Sequence, residues 1–280
     1  MKTIFTLLLG ITLSGRGFGN EVSPKTEVPL HLRLEKHLLA ESGNEVWIYS
    51  PKKPPEGAMP CVLIPPAGSP LIHGMKLSAG DSPEHLPYAN AGFLVVAFEV
   101  SGSGYDANPF SALKEFKASK GGVLDAAEAL KYASGKYKID RSKIFVAGHS
   151  SAGTIALDVA RSSKVFKGCI AFAPSCEITK HQDMEAIKTL SKFVPGYLEF
   201  FEGISPVRNA EKLRCPLFLF YAKDDGHLRP GEIPRYATAV KKFNPRVTVE
   251  TVDSGGHYRS MISEGIPRAL VWIDSLDKVK

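Results

Sequence analysis

One short segment constrains the fold of this chain more than any other, namely V-A-G-H-S-S-A-G-T at residues 146–154. An apolar, β-branched run ends at Gly148, and small residues follow Ser150. Such a strand–turn–helix holds one serine in a strained backbone at a helix N-terminus, with its hydroxyl exposed. The turn needs small side chains two residues to either side of that serine, because strand and helix nearly touch there. The spacing therefore favours Ser150 as a nucleophile, since centring the turn on Ser151 would place His149 in a crowded position.

The segment departs from the usual pattern at one position. Ala152 stands where glycine is usual, and Gly153 follows one place later. One extra methyl group narrows the turn without forbidding it. The alternative interpretation is a plain junction of small residues with an incidental serine, since short motifs also occur by chance.

The first 19 residues have the pattern of a secretory signal peptide. Lys2 precedes an apolar run over residues 4–13 that is too short to span a bilayer, and small residues end at Gly19. Cleavage there predicts a secreted or periplasmic protein without a stable membrane span, although Arg16 is unusual in a cleavage region and an uncleaved anchor is the alternative. Residues 20–280 are long enough to bury one core, so we expect a single domain.

The charge of the mature chain does not indicate a nucleic-acid partner. Cleavage would remove two of the 35 basic residues and none of the 29 acidic ones, which leaves a net charge of +4. The basic residues are scattered and form no block of like charges. We therefore expect a solvated surface and no nucleic-acid site.

The cysteines and histidines show no metal-binding spacing. None of the four cysteines lies in a C-x-x-C pair: Cys61, Cys169, Cys176 and Cys215. An exported protein could form one disulfide, but the sequence does not indicate which pair. No H-E-x-x-H pattern is present, so five histidines are expected at the surface or at the rim of the site: His73, His85, His149, His181 and His227. We expect neither a metal nor another cofactor.

Strands alternate with helices along the chain. Alternating runs at Leu30–His37 and Glu45–Tyr49 predict an antiparallel hairpin. Apolar runs predict further strands at Cys61–Ile64, Phe93–Phe98, Lys143–Ala147, Gly168–Phe172, Leu217–Tyr221 and Val247–Val252. Helices are predicted to start near Asp81 and to cover Val123–Tyr132, where Gly135 ends the run, and Thr154–Val159, Ile233–Phe243 and Ile266–Leu276. This order predicts an α/β fold with a mostly parallel sheet and helices on both faces.

Polar residues follow two of the later strands. The strand predicted at 217–221 runs into Asp224 and Asp225, and the strand at 247–252 runs into a glycine turn and His257. Parallel strands bring their carboxyl ends to one edge of a sheet, where the serine turn also emerges. A serine nucleophile needs a base to take its proton and a carboxylate to orient that base. The sequence therefore predicts all three groups at one edge.

Three segments in order, G-H-S-S-A-G, A-K-D-D-G and G-G-H-Y, resemble the α/β-hydrolase superfamily over about residues 30–276. The chain is most similar there to dienelactone hydrolase-like and prolyl-oligopeptidase-like serine hydrolases. The resemblance implies that Ser150 attacks an acyl carbon, His257 transfers the proton and Asp224 orients the imidazole. Asp225, one residue on, is the alternative acid. Dienelactone hydrolases themselves carry a cysteine nucleophile, so their substrate is not implied.

A tetrahedral oxyanion needs hydrogen-bond donors already in place. One should be the backbone N–H of Ser151, at a helix N-terminus. The other should come from the loop after the strand at 61–64, where relatives often carry a His-Gly pair and this chain reads P-P-A-G-S. Prolines have no N–H to give, so Ala67 and Gly68 are both candidates.

A second glycine-rich segment, Ser101–Ala107, loosely fits G-x-G-x-x-A. A dinucleotide site would need a helix to open at once and an acid after the next strand. Instead Asn108 and Pro109 interrupt the pattern, and Asp125 lies inside a helical run. We therefore expect a loop at the rim of the site.

An insert at residues 174–213 separates the strand that ends at Phe172 from the next strand. It carries four aromatic residues at near-helical spacing: Phe193, Tyr197, Phe200 and Phe201. They would either form a small cap that selects the acyl or alcohol group, or pack down on the domain.

Together these features predict an exported serine hydrolase that cleaves a small-molecule or polymer-linked carboxylic ester through an acyl-enzyme. One alternative is a peptidase of the prolyl-oligopeptidase type, although no internal repeat of a propeller-like domain is visible in the sequence. Another is a catalytically silent scaffold, which the missing His-Gly pair and Ala152 would suit. The sequence does not indicate an oligomeric state.

Overall fold

A computed structural model of the chain describes residues 27–278. They contain a sheet of eight strands in the order β1-β2-β4-β3-β5-β6-β7-β8. The strands are β1 Leu32–Leu38, β2 Glu45–Pro51, β3 Met59–Ile64, β4 Leu94–Phe98, β5 Ile139–His149, β6 Gly168–Phe172, β7 Leu217–Ala222 and β8 Val247–Val252. Strand β2 is antiparallel to both of its neighbours, and all other neighbouring strands are parallel. The predicted hairpin and mostly parallel sheet are confirmed.

Helices cover both faces of the sheet. They are α1 Ser82–Asn90, α2 Pro109–Ala118, α3 Val123–Lys136, α4 Ser151–Ser162, α5 Met184–Ser191, α6 Tyr197–Gly203, α7 Glu232–Lys241 and α8 Ile266–Leu276. Apolar side chains of α1 and α8 join one buried cluster with one face of the sheet. Those of α2 to α7 join a second cluster with the other face. Burial on two faces explains why the central strands read as uninterrupted apolar runs.

Two predicted boundaries were wrong for local reasons. Helix α3 continues through Gly135, because one glycine near a helix end costs only about 1 kcal/mol relative to alanine. Asn108 and Pro109, expected to interrupt the glycine-rich pattern, instead begin helix α2 directly after that segment. The Asn108 side chain accepts the backbone N–H of Ser111 at 3.1 Å, and proline suits the first helical position.

The insert between β6 and β7 packs down on the domain. Tyr197 and Phe201 are fully buried in the cluster beneath α2 to α7. The Tyr197 hydroxyl donates to the carbonyl of Ile72. The rings of Phe200 and Phe116 meet edge-on, with their centroids 5.6 Å apart. These aromatics therefore hold the insert in place.

A buried carboxylate fastens the same insert to α7. The side chain of Glu232 is 0% exposed and accepts the backbone N–H groups of Cys176 and Glu177 at 2.7 and 2.8 Å. It also pairs with the ring of His181 at 2.7 Å. Burial alone would raise the pKa of Glu232, but these donors outweigh it and lower the pKa below its ordinary value.

The four cysteines are free thiols. Burial raises the pKa of Cys61, Cys169 and Cys176, and raises that of Cys215 to about 11. Between residues 27 and 278 no helix combines the length and apolar character that crossing a bilayer requires. The signal peptide predicted at residues 1–19 lies outside the described residues.

Candidate active site

Ser150 occupies a strained turn between β5 and α4. Its backbone angles are φ 56° and ψ −123°, in a region that residues with a side chain rarely adopt. The Ser150 N–H donates to the carbonyl of Phe172 at 2.8 Å, which ties the turn to β6. A Cβ atom at Gly148 would lie 2.3 Å from the carbonyl oxygen of Ala152, so only glycine fits there. The predicted strand–turn–helix is therefore present, with Ala152 fully buried in it.

The base candidate, His257, is held by a buried carboxylate. Its Nδ1 lies 2.7 Å from Oδ2 of Asp225, whose side chain is 1% exposed. The other oxygen of Asp225 accepts the backbone N–H of His227 at 2.9 Å. A carboxylate facing Nδ1 fixes the proton on that nitrogen and leaves the lone pair of Nε2 available as a base.

The structure corrects the predicted acid. Asp224 was expected to orient His257, but its side chain is exposed and does not contact the imidazole. It accepts instead the backbone N–H groups of Gly255 and Gly256, at 3.1 and 2.9 Å. Asp224 leaves the end of β7 on the solvent side, and the turn places the next residue, Asp225, inward. The two adjacent carboxylates therefore support the loop and the ring of His257 respectively.

The environment of the pair favours a neutral imidazole and an ionised carboxylate. Burial lowers the pKa of His257 below its ordinary value, and the neighbouring His149 and His227 add to this against the opposing effect of Asp225. Burial alone would raise the pKa of Asp225, but the hydrogen bonds and charges of His257 and His227 outweigh it and lower the pKa. His257 is thus suited to accept a proton near neutral pH.

One cavity of about 780 Å³ brings the predicted serine and histidine together. Its lining comes from the loop after β3 through the start of α1, from the turn after β5, and from the loops after β7 and β8. The residues are Ala67, Gly68, Ser78, Gly80, Asp81, Glu84, His149, Ser150, His227, Gly255, Gly256, His257, Tyr258 and Arg259. Both loop candidates for an oxyanion donor, Ala67 and Gly68, are among them, and Ser151 opens helix α4 beside the cavity.

Within residues 27–278, the Nε2 atom of His257 is buried and has no hydrogen-bond partner. The hydroxyl of Ser150 makes no hydrogen bond to it. The cavity lining therefore contains both the nucleophile candidate and the histidine whose Nε2 is unpaired.

Sequence reasoning missed several groups of this cavity. Asp81 and Glu84 read only as a helix start, yet the β3–α1 connection carries both into the cavity wall. Burial and the charge of Glu84 raise the pKa of Asp81 to about 6. No short motif marks these carboxylates, because only the packing of α1 on the sheet brings them to the cavity wall. Arg259, two residues after His257, was equally unmarked.

Some expected positions need correction. His85 and His149 are buried, at 1% and 3% exposure, so neither is a surface histidine. His149 nevertheless lines the cavity, as the expected rim position requires, whereas His85 does not. The segment 101–107 is absent from the cavity lining, and Asp125 accepts the backbone N–H and hydroxyl of Ser101 at 2.9 and 2.6 Å. That acid therefore fastens the loop to α3. The aromatic residues of the insert do not line the cavity either.

Comparison with solved structures identifies the fold. A puromycin-hydrolyzing peptidase of Mycobacterium tuberculosis is 19% identical, with a TM-score of 0.69 over 90% of this chain and 41% of that one. An acylaminoacyl peptidase of Pyrococcus horikoshii is 16% identical, with a TM-score of 0.64 over 88% of this chain and 41% of the peptidase. An esterase of Pyrococcus furiosus is 18% identical, with a TM-score of 0.61 over 87% of this chain and 93% of the esterase. The chain thus spans about two fifths of the length of these peptidases and most of the length of the esterase.

The sequence itself matches one family across most of the described fold. No curated protein matches the chain. Residues 81–275 match the model of the prolyl oligopeptidase family, a range that runs from the start of α1 to the last turn of α8. This range includes the strained serine, both aspartates after β7 and the histidine after β8. The chain belongs to the prolyl oligopeptidase family and has an α/β-hydrolase fold.

Proposed function

We propose that the protein hydrolyses a carboxylic ester through an acyl-enzyme, with Ser150 as nucleophile, His257 as base and Asp225 as the orienting carboxylate. The observation that carries the proposal is that Ser150 and His257 line the same cavity, and that the buried Nε2 of His257 has no hydrogen-bond partner within residues 27–278. This nitrogen is held in the base tautomer by Asp225 at 2.7 Å.

The first half-reaction forms the acyl-enzyme. Nε2 of His257 takes the hydroxyl proton of Ser150 as Oγ bonds to the ester carbonyl carbon, and the carbonyl π electrons move to oxygen. The tetrahedral intermediate collapses, the bond to the alcohol oxygen breaks, and the imidazolium returns its proton to that oxygen. Water then attacks the acyl-enzyme by the same proton transfers and releases the acid.

The oxyanion is stabilised by backbone donors. We assign one to the N–H of Ser151, the first residue of α4, where the helix dipole adds positive potential. Ala67 or Gly68 supplies the second from the loop after β3. Their position on the cavity lining supports this assignment.

An ester is our first choice of substrate. An ester expels an alcohol, which is a better leaving group than the amine of a peptide bond and makes a smaller demand on the general acid. The P. furiosus esterase, matched over 93% of its length, supports this choice. We also propose that residues 1–19 direct export, which an N-terminal sequence beginning at Asn20 in the secreted protein would test.

A peptidase activity is the second candidate. The family match and the neighbours named as puromycin-hydrolyzing and acylaminoacyl peptidases favour it. Both candidates use the same acyl-enzyme and differ only in the leaving group.

Matched chromogenic substrates separate the two candidates. We would measure kcat/KM on p-nitrophenyl acetate and butyrate and on p-nitroanilides of acylated and free amino acids, for wild type and Ser150→Ala. Faster ester hydrolysis that collapses in the variant supports the esterase; preferential anilide hydrolysis that collapses supports the peptidase. Equal rates in the variant would overturn the mechanism. A panel of acetylated sugars, feruloyl esters and short-chain lipids then identifies the ester class.

A further inference from the structure

The residue before the nucleophile makes an unexpected contact. His149 ends β5, is 3% exposed, and its Nε2 lies 3.0 Å from the backbone carbonyl oxygen of His257. A carbonyl oxygen only accepts hydrogen bonds, so Nε2 of His149 carries a proton and donates it. This contact joins the residue next to Ser150 to the main chain of the base.

The other ring nitrogen faces a buried acid on a different element. Nδ1 of His149 lies 3.6 Å from Oε1 of Glu84 in α1, and Glu84 is 7% exposed. At this distance the two groups form no hydrogen bond, and Nδ1 has no other hydrogen-bond partner within residues 27–278. The orientation of the ring is therefore set by the hydrogen bond from its Nε2–H to His257.

The rings are also in contact. The ring centroids of His149 and His257 are 4.5 Å apart. The ring of Tyr258 lies edge-on to His149, with the two centroids 5.8 Å apart. His149 thus contacts both the ring and the main chain of His257, while its own main chain continues directly into the strained serine.

We propose that His149 is a positioning residue, which clamps the loop of His257 onto the turn that carries Ser150. The inference rests on the proposed function, because it concerns the distance between nucleophile and base. Ser150 and His257 come from separate loops, and a misplacement of about 1 Å between reacting groups costs on the order of 100-fold in rate. The clamp fixes that distance through one buried hydrogen bond to the main chain of His257 and the contact between the two rings.

A matched pair of variants tests the clamp. His149→Gln keeps an N–H donor near the position of Nε2, whereas His149→Met has similar length and no donor. We expect His149→Met to lower kcat on a p-nitrophenyl ester about 10-fold, with KM changed less than about 3-fold, since one hydrogen bond is lost. His149→Gln should restore most of kcat.

The pH profile supplies a readout that packing alone would not move. The titratable groups facing His257 are Asp225, His149 and His227, and Glu84 faces His149. His149 lowers the pKa of His257. Both variants should therefore shift the acid limb of kcat/KM to higher pH. Equal kcat values in the two variants, or an unmoved acid limb in both, would overturn the proposal.

Wild-type protein gives a test that is independent of turnover and of the variants' folding. Long-range ¹H–¹⁵N spectra of labelled histidines should show His149 protonated at Nε2, and a bare Nε2 would overturn the clamp. Failure of the proposed function is recognised separately, because the wild type would then hydrolyse no substrate faster than Ser150→Ala does.

Discussion

Asp225 holds Nδ1 of His257 at 2.7 Å from within the protein, with only 1% of its side chain exposed. A carboxylate in this position fixes the ring's tautomer and stabilises the imidazolium that forms when the serine loses its proton. The preceding acid contacts only the backbone of the loop before His257. Asp224 and Asp225 are adjacent, but one supports the loop backbone and the other orients the imidazole, so their effects on activity can be measured separately.

We expect Asp225→Asn to lower kcat by roughly 10³- to 10⁴-fold, because the amide favours the wrong imidazole tautomer. The matched control is Asp224→Asn, which weakens two backbone contacts and should lower kcat less than about 10-fold. Steady-state kinetics on one ester decides between them. A larger loss in Asp224→Asn would return the orienting role to that residue.

The pH dependence should follow His257. Because burial lowers its pKa, the neutral imidazole persists to a pH below the ordinary histidine value of 6.5. We expect kcat/KM to rise with pH through an acid limb below 6.5 and to be level at neutral pH. An acid limb well above 6.5 would mean that the imidazolium is stabilised instead, against the burial described here.

The serine turn should tolerate change at one small residue and not at another. Gly148→Ala places a methyl group 2.3 Å from the Ala152 carbonyl oxygen. We therefore expect the unfolding free energy to fall by about 3 kcal/mol and the activity to be lost. Ala152→Gly removes a buried methyl group and should cost about 1 kcal/mol while activity persists. Chemical denaturation and ester hydrolysis measure both. A fully active Gly148→Ala would contradict the close approach.

The attachment of the insert at residues 174–213 should depend on the Glu232 carboxylate. Glu232→Ala leaves buried donors of Cys176, Glu177 and His181 without an acceptor, and we expect a loss of about 3–5 kcal/mol at neutral pH. Glu185→Ala removes an exposed ion pair with Lys188 and serves as the control, with no measurable change in the unfolding midpoint.

The effect at Glu232 also has a predicted pH dependence. Its folded-state pKa is lowered, so its stabilisation is present above the ordinary value of 4.5 and is lost as pH falls through the folded value. The difference between wild type and Glu232→Ala should therefore shrink in acid. A difference that grows below pH 4.5 would contradict the charged assignment.

The sequence was sufficient for the sheet, because uninterrupted apolar runs and alternating helices specify a covered parallel sheet. It also located the serine turn, since Gly148 and Ser150 meet a steric demand that few other junctions make. It did not separate Asp224 from Asp225, because the difference lies in which side of one turn each carboxylate leaves.

Contacts between segments that are distant in the sequence could not be predicted from local sequence patterns. Glu84 lies 65 residues before His149, and only the packing of α1 on the sheet brings their side chains to 3.6 Å. His149 was expected at the surface or at the rim of the site, because its spacing from the other histidines shows no metal-binding pattern. Tertiary packing alone made it a buried contact of His257.

The most direct measurement is covalent labelling of the folded protein with a fluorophosphonate, followed by peptide mapping. We expect one phosphonyl group on Ser150, with no label after Ser150→Ala and slow labelling after Asp225→Asn. A folded wild-type protein that takes up no label, or a label that maps to Ser151, would contradict the assignment of Ser150 as the nucleophile.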